Sequence, residues 1–222
     1  MSVNSIAFIP DGNRRYAKKV GISSMEAYQA GFNKAEEVFD WCVEKKIRFA
    51  TIYSLSSENL NRTTEQLMDL FLLYRKHLTE LIDNEKIHAN EVKVRVTGRI
   101  NRVPGLSSII EKLHNSTAKY DKHHLNIALG YGGREEIVDA AKRISDDGLE
   151  MNEENFSKYL YTDQDPELLV RTSGIQRLSN FLPWQAIYTE LYFCKSLWPE
   201  FSKQNFNEAL AWYDQTKRNF GR

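Results

Sequence analysis

Apolar positions along this chain fall into two alternating kinds of run. Short dense runs closed by turn residues read as strands: Ile6 to Ile9, halted by Pro10-Asp11-Gly12-Asn13; Phe49 to Leu55, ending in Ser56-Ser57-Glu58-Asn59; and Leu125 to Leu129, followed by Gly130-Tyr131-Gly132-Gly133. Leu168 to Arg171 and Glu190 to Phe193 read the same way, and Val92 to Val96 alternates with period two before Gly98. Between them, apolar residues recur at three- and four-residue intervals. Tyr28, Phe32, Ala35, Phe39 and Cys42 form one such stripe after a capping Ser23 or Ser24, with Glu26 in the first turn. A second stripe, Leu67 to Leu81, follows Thr63 or Thr64 as cap. Further helical patterns begin at Arg14 and cover Leu106 to Tyr120, Arg134 to Ile144 and Phe206 to Arg218. Strands alternating with helices predict an α/β fold, a mainly parallel central sheet flanked by helices. Without repeats or a Gly/Ser/Pro-rich linker, residues 1–222 read as a single domain.

In a parallel sheet, the turns at Asp11 to Asn13, Ser56 to Asn59, Gly130 to Gly133 and Arg171 to Gly174 all fall on one edge. Ligands of open α/β sheets bind there. One glycine-rich turn is weak evidence; several sharing an edge predict a composite site.

Composition narrows the ligand. Lys plus Arg equal Asp plus Glu at 30 each, so there is no global positive field to hold nucleic acid, and any anion site must be local. The two cysteines, Cys42 and Cys194, have no metal or redox spacing, and no histidine pair has the spacing of metal ligands. Neither a basic-then-apolar leader nor an apolar run of membrane-spanning length is evident, and a soluble, cytoplasmic protein is expected.

The candidate chemistry sits at the strand ends. Arg171, Arg177 and Ser179, with Thr172 to Gly174 and Asn180, offer guanidiniums, hydroxyls and backbone N–H groups suited to phosphate, although an arbitrary arginine pair more often makes surface ion pairs. Asp11 lies beside Asn13 and Arg15. A carboxylate there repels phosphate unless a divalent cation such as Mg2+ bridges them, and the N–H groups of Gly12 to Arg14 open a helix that favours an anion. The plain alternative is an Asp-Gly-Asn turn with no chemistry.

FIPDGNRRYAKK, SLSSENLNR, LNIALGYGGREEIV and RTSGIQRLSNFLPWQAIYTELYF resemble, in that order, the motifs of cis-prenyltransferases, the undecaprenyl diphosphate synthase family. LWPEF and the terminal KRNFGR also fit, so the resemblance spans essentially the whole chain. It implies an α/β fold with an apolar tunnel. The implied reaction is Mg2+-dependent condensation of isopentenyl diphosphate with an allylic prenyl diphosphate, by a homodimer, with peripheral membrane contact through the lipid product. Carried over, Asp11 would bind Mg2+ at the reaction centre. Asn13, Arg15 and Arg62 would hold the allylic diphosphate, with Gly12, Arg14, Tyr16 and Tyr28 at the same site and Ser56 and Asn59 along its wall. Arg171, Arg177 and Ser179 would grip isopentenyl diphosphate, and Glu190 would serve the metal and the dimer contact.

This chain departs from the family pattern mostly on the allylic side. Pro10 stands for a usual Met, Arg14 for a small residue, Tyr16 for Trp, Tyr28 for His, and Ser24 falls near a usual Arg. An atypical allylic partner follows as an expectation, and non-head-to-tail connectivity stays open. Two other classes compete: a non-catalytic subunit of a heterodimeric prenyltransferase, which would typically lack the Asp-Gly-Asn turn, and a nucleotide-dependent phosphotransferase, which would carry a Walker loop absent here.

Overall fold

The computed structural model describes residues 3–61 and 63–217. In chain order the main elements are β1 (Ser5–Ile9), α1 (Asn13–Val20), α2 (Ser24–Glu44), β2 (Phe49–Ser56), α3 (Thr64–Ile82), α4 (Glu85–Ala89) and β3 (Val92–Thr97). There follow α5 (Ser107–Thr117), β4 (His123–Tyr131), α6 (Gly133–Asp146), α7 (Glu153–Tyr159), β5 (Leu168–Arg171), β6 (Glu190–Phe193) and α8 (Lys203–Gln215). The strands form one six-stranded sheet in the order β3-β4-β2-β1-β5-β6, and every pairing is parallel.

Burial explains why the strands read so clearly. All of β1 is buried, with Ile6 and Phe8 turned toward α2 and α8 and Ala7 and Ile9 toward Phe181 and Tyr53. Inner strands of a parallel sheet are covered on both faces, so they appear as continuous apolar runs. The other half of the core joins β2, β3 and β4 to α3 and α5 through Leu55, Val94, Ile127, Tyr74, Leu78 and Leu113.

Several boundaries differ from the sequence reading for local reasons. Strand β4 runs two residues further at each end than expected, because His123 is buried in the ladder with its Nδ1 2.9 Å from the Ile47 carbonyl oxygen. Helix α2 has the expected capping box between Ser23 and Glu26. Thr63 occupies the N-cap of α3 but makes no side-chain capping bond. Helix α8 starts before Phe206, where Ser202 and Asn205 form a capping box whose third-position Asn is not the Glu or Gln that flags one. The expected end of that helix at Arg218 lies outside the described residues. Helices α4 and α7 were missed because each buries one apolar side chain, Ile87 or Phe156, and so shows no stripe.

The chain leaves β1 for β2 on one side and later returns to β5 on the other. The sheet therefore has its topological switch point between β1 and β5, where Ile9 pairs with Arg171. No helix among the described residues is long and apolar enough to cross a membrane.

Candidate active site

At the switch point, the chain leaving β1 places Asp11 beside the last residue of β5. The Asp11 N–H donates to Thr172 Oγ1 at 2.9 Å, and the Thr172 hydroxyl lies 2.7 Å from the Asp11 carbonyl oxygen. Gly12 then takes φ +115° and opens α1. A Cβ there would fall 2.9 Å from Leu197 Cδ2, so both backbone conformation and space require glycine.

The Asp11 carboxylate is shared by two guanidiniums. Arg171 Nη2 donates to Oδ2 at 2.9 Å and Arg15 Nη2 to Oδ1 at 3.0 Å. Burial pushes the Asp11 carboxyl up. The hydrogen bond and charge of Arg171, then the charge of Arg15 and the Ser173 hydroxyl, outweigh it and hold the group below its usual range. It stays ionised. Arg171 also donates through Nη1 to Ser179 Oγ at 2.7 Å and to the Arg177 carbonyl, while its Nε is buried without a hydrogen-bond partner. Arg15 donates to the Ser173 carbonyl and hydroxyl.

These groups stand at the mouth of a cleft of about 880 Å³. Its polar rim includes Asp11, Gly12, Asn13, Arg14, Arg15, Ser56, Asn59, Arg171 and Ser179. Deeper, α2 and α3 contribute Tyr28, Gly31, Phe32, Ala35, Leu70 and Tyr74, and β2 adds Ile52 and Leu55. A charged mouth over an apolar wall suits a ligand with an anionic head and a hydrocarbon body. Ser56 Oγ accepts from the Asn59 N–H at 3.2 Å, which fixes that corner.

The segment after β5 is built from left-handed turns at Ser173, Gly174, Ser179, Asn180 and Leu182. Such conformations are costly for side chains other than glycine and persist where packing enforces them. Here Tyr53 stacks on Phe181 with ring centroids 4.4 Å apart, and the Asn180 carbonyl and side-chain Oδ1 accept from the Gly133 and Arg134 N–H groups at 2.8 and 2.9 Å. The loop comes so close to the start of α6 that a Cβ on Gly133 would overlap the Pro183 ring.

Three expected residues stand elsewhere. Glu190 opens β6 and pairs across from Leu168, whereas Arg171 pairs with Phe193 at the other end. The expectation that Glu190 joins Asp11 at a metal is corrected within one chain: parallel strands put the two carboxylates at opposite edges of the sheet. Tyr16 and Arg177 do not line the cleft; Tyr16 is half-buried on α1, and Arg177 is exposed and offers its carbonyl to Arg171. Arg62 lies outside the described residues. Asn180, expected with the phosphate-binding groups, does line the cleft, and Glu58 and Arg134 line it without having been singled out. Arg134 had a signal, as the first cation after the Gly132-Gly133 turn on the functional edge.

Comparison with known proteins points to one family. A family model described as putative undecaprenyl diphosphate synthase matches residues 9–221. A tritrans,polycis-undecaprenyl-diphosphate synthase (geranylgeranyl-diphosphate specific) from Thermoplasma acidophilum is 44% identical over 98% of this chain and 88% of its own length. An isoprenyl transferase from Aquifex aeolicus is 38% identical over 98% and 95%. Lavandulyl diphosphate synthase from Lavandula x intermedia, solved with dimethylallyl diphosphate, superposes with a TM-score of 0.91 at 32% identity, covering 100% of this chain and 99% of its own.

Proposed function

Because the chain belongs to the undecaprenyl diphosphate synthase family of prenyltransferases, we propose that it condenses isopentenyl diphosphate with an allylic prenyl diphosphate, using Mg2+. The product is a cis-polyprenyl diphosphate, with release of diphosphate. The observation that carries this reading is the ionised Asp11 carboxylate held between Arg171 and Arg15 at the charged mouth of an apolar cleft.

The residues fit a hard divalent cation. Asp11 is an oxygen donor that stays ionised, and among the described residues no cluster of His, Cys, Asp and Glu surrounds it. A cation at Asp11 would complete its shell with phosphate oxygens and water, the manner Mg2+ prefers. When bound, Mg2+ supplies positive charge to the departing diphosphate.

The chain's own groups do the rest. Without substrate, Arg171 and Arg15 neutralise Asp11; an arriving diphosphate offers both guanidiniums new acceptors and frees the carboxylate. Arg171, with its unpartnered Nε, holds isopentenyl diphosphate together with Ser179, and the exposed Arg177 side chain reaches it from outside the cleft lining. Arg15 and Arg14 face the allylic diphosphate with Tyr28, Ser56 and Asn59 on the same wall, and Asn13 lines the same rim at the start of α1. Cleavage of the allylic C–O bond builds charge on diphosphate, and fixed guanidiniums stabilise that charge more than the ground state. The alkene needs no protein nucleophile, only placement against the allylic carbon, which the apolar wall provides.

Homodimerisation belongs to the same proposal. Edge strand β6 lies beside exposed Ile187 and Tyr188, an apolar pair that a second copy would cover, with Glu190 at that seam. A second regiochemistry, non-head-to-tail joining by the same residues, takes support from the structural likeness to lavandulyl diphosphate synthase.

The test is radiolabelled isopentenyl diphosphate offered with a panel of allylic diphosphates. Label should enter an apolar product only when both an allylic diphosphate and Mg2+ are present, with chain length read by mass spectrometry and connectivity by NMR. Label entering without Mg2+, or no label entering with any allylic diphosphate, would overturn the reading.

A further inference from the structure

Helix α2 carries Gln29, Phe32, Asn33 and Glu36 at offsets that bring them to one face. Helix α3 sets His77 and Glu80 one turn apart. Where these faces meet, His77 Nδ1 lies 3.3 Å from Glu36 Oε1 and 3.5 Å from Glu80 Oε2, and one ligand atom from each residue lies within 4.8 Å of the others. His77, Glu36 and Glu80 do not line the cleft. We propose that they form a second metal site, for a first-row divalent transition ion of the Zn2+ class, distinct from the cation at Asp11.

Three observations support this assignment. First, both carboxylates converge on the same imidazole nitrogen. Nδ1 carries at most one proton, so a hydrogen bond from it serves one glutamate, whereas a single ion on Nδ1 would meet both carboxylates. A metal accounts for both. Second, the spacing suits it: Zn–N and Zn–O bonds of about 2.0 Å in tetrahedral geometry put neighbouring ligand atoms about 3.3 Å apart. Nitrogen and the two carboxylates leave one position to water. Third, the histidine is fixed while its partners can adjust. The His77 side chain is 8% exposed and stacks on Phe32 with centroids 4.5 Å apart and planes 6° apart, whereas Glu36 and Glu80 are 53% and 52% exposed.

The surrounding amides suit either state. Gln29 Nε2 lies 2.8 Å from His77 Nε2 and donates to Asn33 Oδ1 at 2.9 Å. With metal on Nδ1, the proton must sit on Nε2 and needs an acceptor. Turning the Gln29 and Asn33 amides over supplies one, keeps their mutual bond and moves no heavy-atom position. An occupied site would tie α2 to α3, the helices that carry Tyr28 and Tyr74 on the cleft wall.

The experiment uses the full chain without an affinity tag, stripped by chelator and returned to millimolar Mg2+, with Zn2+ binding followed by calorimetry. One Zn2+ per chain is expected, in the micromolar range or tighter. Glu36→Gln and Glu80→Gln, both at exposed side chains, should keep the far-UV spectrum and lose the binding. Gln29→Leu should weaken it about 10–100-fold as an orienting partner, and Asp11→Asn should leave it unchanged. Co2+ in place of Zn2+ should give visible bands that His77→Gln removes. Absence of Zn2+ binding to the wild-type chain, or equal binding by both glutamate variants, would overturn the proposal.

Discussion

Arg171 and Arg15 bond the same carboxylate yet are built differently. Arg171 ends a strand, is 4% exposed, and is held by Asp11, Ser179 and the Arg177 carbonyl; Arg15 comes from the first turn of α1, is 47% exposed, and is held by Asp11 and Ser173. A buried guanidinium must be matched even without substrate, because an uncompensated charge costs several kcal/mol. An exposed one is matched by water. The β5 side is therefore set before substrate arrives, while the α1 and α2 side is completed by it. The family departures at Arg14, Tyr16, Ser24 and Tyr28 cluster on the second side, where fewer contacts constrain the residue.

Removing the shared carboxylate strikes both sides at once and should give the largest effect. Asp11→Ala is expected to lower turnover by about 10²–10³-fold or more, the cost of deleting a main electrostatic element, with the far-UV spectrum retained. Near-normal label incorporation by that variant would dissolve the common centre on which the comparison stands.

Lysine substitutions separate the two sides. Lysine cannot span Asp11, Ser179 and a backbone carbonyl together, so Arg171→Lys should raise KM for isopentenyl diphosphate by about 10–100-fold, the worth of a charge-assisted hydrogen bond or slightly more. Arg15→Lys keeps a cation where water already helps, and should cost only a few-fold, mainly in the allylic KM. Equal losses would mean that burial does not distinguish the two arginines.

Much of the first side was legible in the sequence because local signals create it. Asp11 and Arg171 end apolar runs, and parallel strands send such ends to one edge. Glu190 is parted from Asp11 within one chain by the same logic: it begins its run, so a parallel β6 carries it to the far edge. Strand order was not legible, since register and neighbours are set by packing between distant segments. Nor were the bonds from Asn180 to the start of α6, which depend on a loop folded against that helix. The meeting of Glu36 with His77 across two helices leaves no trace in spacing, and a search of histidine pairs passes over it.

The close approach that builds the Ser179 side can be tested without touching a charge. Gly133→Ala should push the Pro183 ring away and destabilise the fold by about 1–3 kcal/mol, the usual cost of overpacking, read as a lowered urea midpoint. Isopentenyl KM should rise more than the allylic KM. An unchanged midpoint would show that the loop yields freely and is not held in place.

Acid titration reads the ion pair at lower amplitude. The folded chain holds Asp11 below its ordinary 3.8, so it binds that proton less readily than the unfolded chain does. The stability it contributes is complete above about pH 3.8 and is lost as pH falls through the lowered folded value. Asp11→Asn should be less stable at neutral pH and show a flatter decline below pH 4, measured as urea midpoint against pH. Parallel curves for variant and wild type would remove Asp11 from the linkage.

The smallest effect probes the loosely held side. Tyr28 lines the cleft on α2 beside Phe32, at a position where many members of the family that the chain resembles have a histidine. Tyr28→His introduces a group that titrates near pH 6.5. If the allylic diphosphate lies against this wall, the imidazolium should lower its KM a few-fold at acid pH and release it as pH rises, adding an inflection to kcat/KM that the wild-type enzyme lacks. The isopentenyl KM should not move. An inflection in both constants would mean that the two halves share more of their electrostatics than the unequal burial of Arg171 and Arg15 implies, and no inflection would place the allylic head nearer to Arg14 and Arg15 than to α2.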